Sequence, residues 1–179
     1  MDQNKDALRR LNAINRYMRD YSGSCNECKS ICCTQSVATD YLEFTNILNF
    51  LRENLKFDDT KIRELFTKEP EKRELNPIQQ AVMGGKDTRY CRLLVGNRCL
   101  VYEVRMYACR TYRFHPGYFP SSTCGPDWTF PDYDRKEHPN LKASKRLINL
   151  NNQSAPEGLR DEHPLEFWIE LYLKGELKI

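Results

Sequence analysis

Cysteine is the residue type in this sequence whose number and spacing could do chemistry. Four of the eight cysteines fall within nine residues, at Cys25, Cys28, Cys32 and Cys33. If this segment were helical, the first three would lie at i, i+3 and i+7 on one face, where thiolates can converge on one metal ion. Cys33 would be rotated by about 100° from that face, available to a second centre or to none. Four of the five positions between them hold polar residues, so a buried apolar helix face is the weaker interpretation.

The other four cysteines are spread over a longer stretch, at Cys91, Cys99, Cys109 and Cys124. The first two flank the dipeptide Gly96-Asn97, which is typical of two-residue hairpin turns. Such a turn places Leu94 opposite Cys99, so that Cys91 and Cys99 would lie on opposite faces of the hairpin. A three-residue loop would instead bring both thiols to one face. The spacing leaves open whether these cysteines serve different centres, whether Cys91 lies at an irregular strand start, or whether some belong to the core.

The compartment decides how eight cysteines are interpreted. The N-terminal segment is charged throughout and lacks the apolar core of a signal peptide, and no run of about 18 apolar residues predicts a membrane helix. We therefore expect a cytoplasmic protein with no membrane partner. Disulfides are rare in that reducing compartment, where thiols more often bind metal.

All-sulfur ligation is typical of zinc and of iron–sulfur clusters. The absence of a zinc-knuckle glycine in the first cysteine segment favours iron, whereas the mismatch with the common ferredoxin spacings favours zinc. Zinc is our first expectation for the cofactor, and an iron–sulfur cluster is the alternative.

The elements that must position these cysteines are mainly helices. Apolar residues at helical spacing predict helices over residues 4–21 and from Asp40 onward, with Glu43 as the capping-box partner of Asp40. A shorter helix is expected over Asp59–Thr67, and a C-terminal helix from Pro164 to a stop at Gly175. Residues 90–95 and 98–104 read as the strands of the hairpin.

Residues 112–138 show no clear periodicity and predict a long loop that Cys124 could fasten. Together these elements predict an α+β fold, a mostly helical single domain over residues 1–179 with a small β-hairpin and long loops pinned by metal. The cysteine module would cover about 25–124, with the N-terminal and C-terminal helices packing on it.

A short basic and aromatic stretch raises the question of nucleic acid, since Arg105, Arg110 and Arg113 alternate with Tyr107 and Tyr112. The formal net charge is only +3, and no second stretch of this kind supports it. We interpret the arginines as balancing thiolates and pairing with carboxylates such as Glu103, and nucleic acid is not expected as a partner.

The patterns CNECKSICC at residues 25–33 and CRLLVGNRCLVYEVRMYACRTY at residues 91–112 together resemble the CxxCxxCC cysteine-cluster family. The resemblance spans residues 25–124, and its most specific part is C-x-V-Y-E-x-R-x₃-C-R, here Cys99, Tyr102, Glu103, Arg105, Cys109 and Arg110. The sequence departs from the family at Met106, where proline is usual, and at Lys29, where glycine is common.

Zinc or iron chelation has been ascribed to this family, and flagellin lysine N-methylases are similar to it. The resemblance implies that all eight cysteines are candidate metal ligands. It leaves two functions open: a metal-binding protein whose centre is structural or is handed to a protein partner, and a metal- or cluster-dependent enzyme that modifies a protein substrate. No P-loop, G-x-G-x-x-G or Ser/His/Asp order supports the common nucleotide and hydrolase mechanisms.

Overall fold

Helices make up most of the described structure. The computed structural model describes residues 2–17, 33, 37–72, 77, 89–96, 98–111 and 139–177. Within these ranges the helices are α1 (Asp2–Tyr17), α2 (Tyr41–Glu53), α3 (Asp59–Thr67), α4 (Tyr107–Thr111), α5 (Pro139–Ser154) and α6 (Leu165–Lys174). Short strands β1 (Ala38–Thr39) and β4 (His163–Pro164) form one antiparallel pair, and β2 (Leu94–Val95) and β3 (Arg98–Cys99) form another. The expected mostly helical α+β class is confirmed.

The helix boundaries follow the local signals in the sequence. Asp40 caps α2, because its Oδ1 accepts the Glu43 N–H at 2.8 Å, and Asp58 caps α3 in the same way through the Lys61 N–H. Helix α6 ends at Gly175, whose φ of 74° lies in the left-handed region that favours glycine. Helix α1 was expected over residues 4–21, of which 18–21 lie outside the described ranges.

Helix α2 is the centre of the molecule. Every residue from 41 to 48 is buried, so the helix is enclosed on nearly all sides rather than along one stripe. Helices α1, α5 and α6 pack around it, and a 3-10 turn at Tyr102–Val104 lies against it as well. Its polar side chains are bonded within the core: Asn46 exchanges two hydrogen bonds with Asn12 of α1. The side chains on α2 therefore have little freedom to move.

An aromatic cluster joins α2 to the C-terminal helix. The Phe44 ring stacks on Phe66 and on Trp168, with ring centroids 6.0 and 6.2 Å apart, and Tyr172 meets Phe66 edge to face. The indole N–H of Trp168 donates to the Thr39 carbonyl oxygen at 2.9 Å. Together with the pairing of β1 and β4, this bond ties helix α6 to the chain that follows the first cysteine segment.

Two parts of the fold differ from the sequence-based expectation. The paired strands of the hairpin are shorter than residues 90–95 and 98–104, because the chain enters turns at residues 91–94 and at Val101. Helix α5 was not predicted, although Ala143, Leu147 and Leu150 recur at helical spacing and are buried. The expected loop over residues 112–138 lies outside the described ranges.

The burial of α2 gives a direct test of the core. Ile47 is completely buried in α2, whereas Ile148 on α5 is 48% exposed. Ile47→Ala should lower the free energy of unfolding by about 2–5 kcal/mol, because it removes buried methyl groups and leaves a cavity. Ile148→Ala, the matched control, should change it by no more than about 0.5 kcal/mol. Urea unfolding measures both, and equal costs would contradict the central position of α2.

Candidate metal centre

The structure describes four of the eight candidate ligands. Cys33, Cys91, Cys99 and Cys109 are each half-buried, and the last three pack against the hydrophobic core. The remaining candidates, Cys25, Cys28, Cys32 and Cys124, lie outside the described ranges. Among the residues the structure does describe, no three cysteine, histidine, aspartate or glutamate side chains are grouped so that they could hold a metal ion.

A backbone hydrogen bond brings the two cysteine segments into contact. The N–H of Cys91 donates to the carbonyl oxygen of Cys33. These two residues are 58 positions apart in the chain, so the contact closes a long loop that contains α2 and α3. The described ends of the two segments are therefore neighbours in space.

The hairpin register answers one question that the spacing left open. Leu94 pairs with Cys99 and Val95 with Arg98, as a two-residue turn at Gly96-Asn97 requires. Cys91 lies before the paired region, in a turn whose closing bond runs from the Leu94 N–H to the Cys91 carbonyl oxygen at 2.9 Å. The alternation of side chains along a strand consequently does not fix the direction of the Cys91 thiol. Cys91 lies at the irregular start of the strand.

Cys109 lies on α4, a helix of only five residues. So short a helix has no stability of its own and depends on contacts with its surroundings. Arg110, which is almost fully buried, supplies two of them: its Nε donates to the Arg105 carbonyl oxygen at 2.9 Å and its second guanidinium nitrogen to that of Glu103 at 2.5 Å. The arginine thus fastens the helix to the preceding 3-10 turn through backbone oxygens.

Glu43 on the central helix also contacts α4. Its Oε1 accepts the Tyr107 N–H, at the start of α4, at 2.5 Å, and its Oε2 accepts the Thr39 hydroxyl at 3.2 Å. Sequence reasoning assigned Glu43 only to the capping of α2. A signal for its burial was present, since Glu43 lies four positions before Ile47 and so shares its helix face.

Burial shifts the protonation of the acidic pair on α2. Loss of solvent and, to a smaller extent, the neighbouring Asp40 charge together raise the pKa of Glu43 to about 8. The pKa of Asp40 is raised to about 6, again chiefly by burial, although its bond to the Glu43 N–H opposes the shift. Glu162 adds a smaller repulsion to both carboxyl groups. Near neutral pH this site therefore retains a proton that exposed carboxyl groups have lost.

The basic and aromatic stretch is turned into the protein where the structure describes it. Arg105 is 3% exposed and its guanidinium carbon lies 4.0 Å from the centroid of the Tyr102 ring. Arg110 is likewise buried and donates to the backbone oxygens of Arg105 and Glu103. These two arginines make internal contacts. Arg113 lies outside the described ranges.

An open groove of about 380 Å³ lies between α3 and the hairpin, and Cys91 is one of the residues that line it. Its wall combines apolar residues with charges of both signs: Phe57, Leu65, Leu94, Lys61, Glu64 and Arg92. Arg92 also donates to the Lys68 carbonyl oxygen at 2.5 Å, which joins the hairpin to the end of α3. The groove gives a small molecule or a side chain room beside Cys91.

The fold and the site together define a class: a mostly helical α+β protein in which two cysteine-bearing segments meet at the edge of the core. A family model, "Putative zinc- or iron-chelating domain", with the short name CxxCxxCC, matches residues 24–144. This chain belongs to that family. No curated protein and no solved structure matches the chain significantly. None of the helices in the described ranges is long and apolar enough to cross a membrane.

The two bonds of Arg110 predict the cost of replacing it. Lysine donates from a single nitrogen, whereas the guanidinium of Arg110 donates from two nitrogens that are spaced apart. Arg110→Lys should therefore leave one buried carbonyl oxygen without its hydrogen bond. We expect a loss of about 1–3 kcal/mol in the free energy of unfolding. Arg98→Lys on the exposed side of the hairpin is the control and should change stability little. Equal stabilities of the two variants in urea titrations would contradict the bracing role of Arg110.

The raised pKa values predict how stability depends on pH. A carboxyl group with a raised pKa in the folded state binds its proton more tightly there, so stability is greatest below the unfolded value and falls as pH rises to the folded value. For Glu43 this window runs from the ordinary glutamate pKa of 4.5 to the raised pKa of about 8. Glu43→Gln carries no titrating proton, so its stability should fall less steeply with rising pH than that of the wild-type chain. The two proteins are compared at equal metal content.

Thermal unfolding of the wild-type chain and of Glu43→Gln, followed from pH 5 to pH 9, checks this expectation. The difference between the two midpoints cancels the titration that both proteins share. Glu64→Gln, at an exposed position of α3, is the control and should follow the wild-type profile. Parallel profiles for Glu43→Gln and wild type would show that Glu43 does not hold the proton.

Proposed function

We propose that this chain is a metal-binding cysteine-cluster protein in which thiolates from both segments share at least one centre, with zinc as the metal and an iron–sulfur cluster as the alternative. The proposed ligands are the eight cysteines: Cys25, Cys28, Cys32, Cys33, Cys91, Cys99, Cys109 and Cys124. The observation that carries the proposal is the hydrogen bond from the Cys91 N–H to the Cys33 carbonyl oxygen, which joins the segments.

Chain entropy supports a shared centre over two local ones. A site made only from residues 25–33 would close a very short loop and would leave the hairpin unattached. A site that also uses a residue near Cys91 encloses 58 positions of chain, and the entropy removed from the unfolded state grows with the length enclosed. The backbone contact holds the described ends of the segments close together, which lowers the entropic cost of bringing thiolates from both segments to one metal.

The donor chemistry supports zinc or iron and leaves the choice to experiment. Thiolates are soft ligands that prefer zinc and iron–sulfur clusters to magnesium or calcium. Eight of them match two closed Cys₄ zinc sites, and they also match one iron–sulfur cluster with cysteines to spare. Elemental analysis and the visible spectrum of protein purified without oxygen separate the two, since zinc is colourless and the cluster absorbs visible light.

A metal-dependent protein-modifying enzyme, as in the flagellin lysine N-methylases, is the second candidate. The groove beside Cys91 favours it, because an enzyme needs space for a substrate next to its centre. A fully thiolate-coordinated centre would favour the structural or metal-delivering protein, whereas a coordination position held by water or by a small molecule would favour the enzyme. X-ray absorption of the metal-loaded protein measures the number of sulfur ligands and so separates these two functions.

Metal content of cysteine variants tests the shared centre. We expect Cys28→Ser and Cys91→Ser each to lose the metal of one centre, and the double variant to lose no more than either single change, since the two act on the same site. Cys33→Ser should lose less metal than Cys28→Ser, because in a helical segment Cys33 would be rotated from the face that Cys25, Cys28 and Cys32 share. Native mass spectrometry gives metal per chain for each protein. Additive losses in the double variant would point to separate centres.

A further inference from the structure

Helix α4 carries Cys109 and is held at its beginning by one carboxylate. The Tyr107 N–H lies two residues before Cys109 and donates to Glu43 Oε1 at 2.5 Å. The other oxygen of the same carboxylate accepts the hydroxyl of Thr39, in the strand that follows the first cysteine segment. Glu43 therefore connects the chain leaving one set of cysteines with the helix that bears a member of the other.

Packing alone does not require a carboxylate at this position. Glu43 is 6% exposed on the central helix, with Thr39, Asp40 and Glu162 nearby, and a leucine would occupy this position without the cost of burying a polar group. What a carboxyl group adds is two oxygens with defined directions, one of which accepts the Tyr107 N–H in either protonation state. Because α4 has only five residues, its orientation depends on a small number of contacts, and the bond from its first N–H to Glu43 is one of them.

We infer that Glu43 is a positioning residue of the metal centre: its carboxyl group, by accepting the Tyr107 N–H, holds α4 in the orientation in which Cys109 serves as a ligand. This inference rests on the proposed function. In other metal sites, residues that do not touch the metal fix the orientation of a ligand through hydrogen bonds. The inference assigns this role to Glu43.

The test is thiol alkylation of the zinc-reconstituted full chain, resolved by cysteine through mass spectrometry, because zinc-bound thiolates are protected from alkylation. Zinc per chain is measured first on the wild type. In Glu43→Leu, which removes both acceptors, alkylation of Cys109 should accelerate by about tenfold or more, the size of effect that partners of metal ligands commonly show. Alkylation of Cys91 should stay within about twofold. Glu43→Gln, which retains an acceptor for the Tyr107 N–H, should restore most of the protection of Cys109.

A second pair of variants changes the donor of the bond between the Tyr107 N–H and Glu43, and serves if Glu43→Leu does not fold. Tyr107→Pro removes the N–H at the first position of a helix, where proline is well accommodated, and Tyr107→Ala is its matched control because it loses the ring but keeps the N–H. Alkylation of Cys109 should accelerate in the proline variant beyond the alanine variant.

The outcomes separate this inference from the function on which it rests. A wild-type chain that retains neither zinc nor iron overturns both. A wild type that binds zinc, together with unchanged Cys109 alkylation in Glu43→Leu and in Tyr107→Pro, overturns the positioning role alone. An equal acceleration at Cys33, Cys91, Cys99 and Cys109 also overturns it, since general loosening of the fold affects all thiols alike.

Discussion

Hydrogen bonding to the buried carboxyl group of Glu43 is the interaction on which the arrangement of the two cysteine segments depends. Glu43 lies on the most enclosed helix of the described structure and accepts hydrogen bonds from Thr39 and from Tyr107, which are on opposite sides of it in the chain. Burying a carboxyl group is unfavourable, and its pKa rises to about 8 because the neutral form is easier to bury. The hydrogen bonds with Thr39 and Tyr107, and the proton that Glu43 retains, offset the cost of burial. These bonds lie where the fold joins the two cysteine segments.

Packing in the rest of the core holds the Glu43 side chain in place. Phe44, the next residue, is locked between Phe66 and Trp168, and Trp168 in turn donates to the carbonyl oxygen of Thr39. The residues that present the acceptor and one of its donors are therefore held by the same aromatic cluster. A well-packed core transmits small displacements rather than absorbing them, so the edge that carries Cys91 and Cys109 is coupled to packing at the centre.

The charged residues of the family pattern take structural parts in this fold. Arg110 fastens α4 to the 3-10 turn, and Arg105 stacks on Tyr102, so that both cations are used inside the protein. The family pattern around Cys109 can thus be read as a unit that shapes the backbone next to a thiol. This view also accommodates Met106 in place of the usual proline, since its side chain is 2% exposed and anchors the same stretch in the core.

The sequence by itself determined the local features: the caps at Asp40 and Gly175, the extent of α3, the two-residue hairpin turn, and the cysteine pattern that marks the family. Each of these depends on residues within a few positions of one another, where residue type and spacing fix the geometry. The bond from Tyr107 to Glu43 spans 64 positions and that from Cys91 to Cys33 spans 58, and neither has a local signature. Only the tertiary structure decided them, because the direction of a buried side chain depends on which helices enclose it.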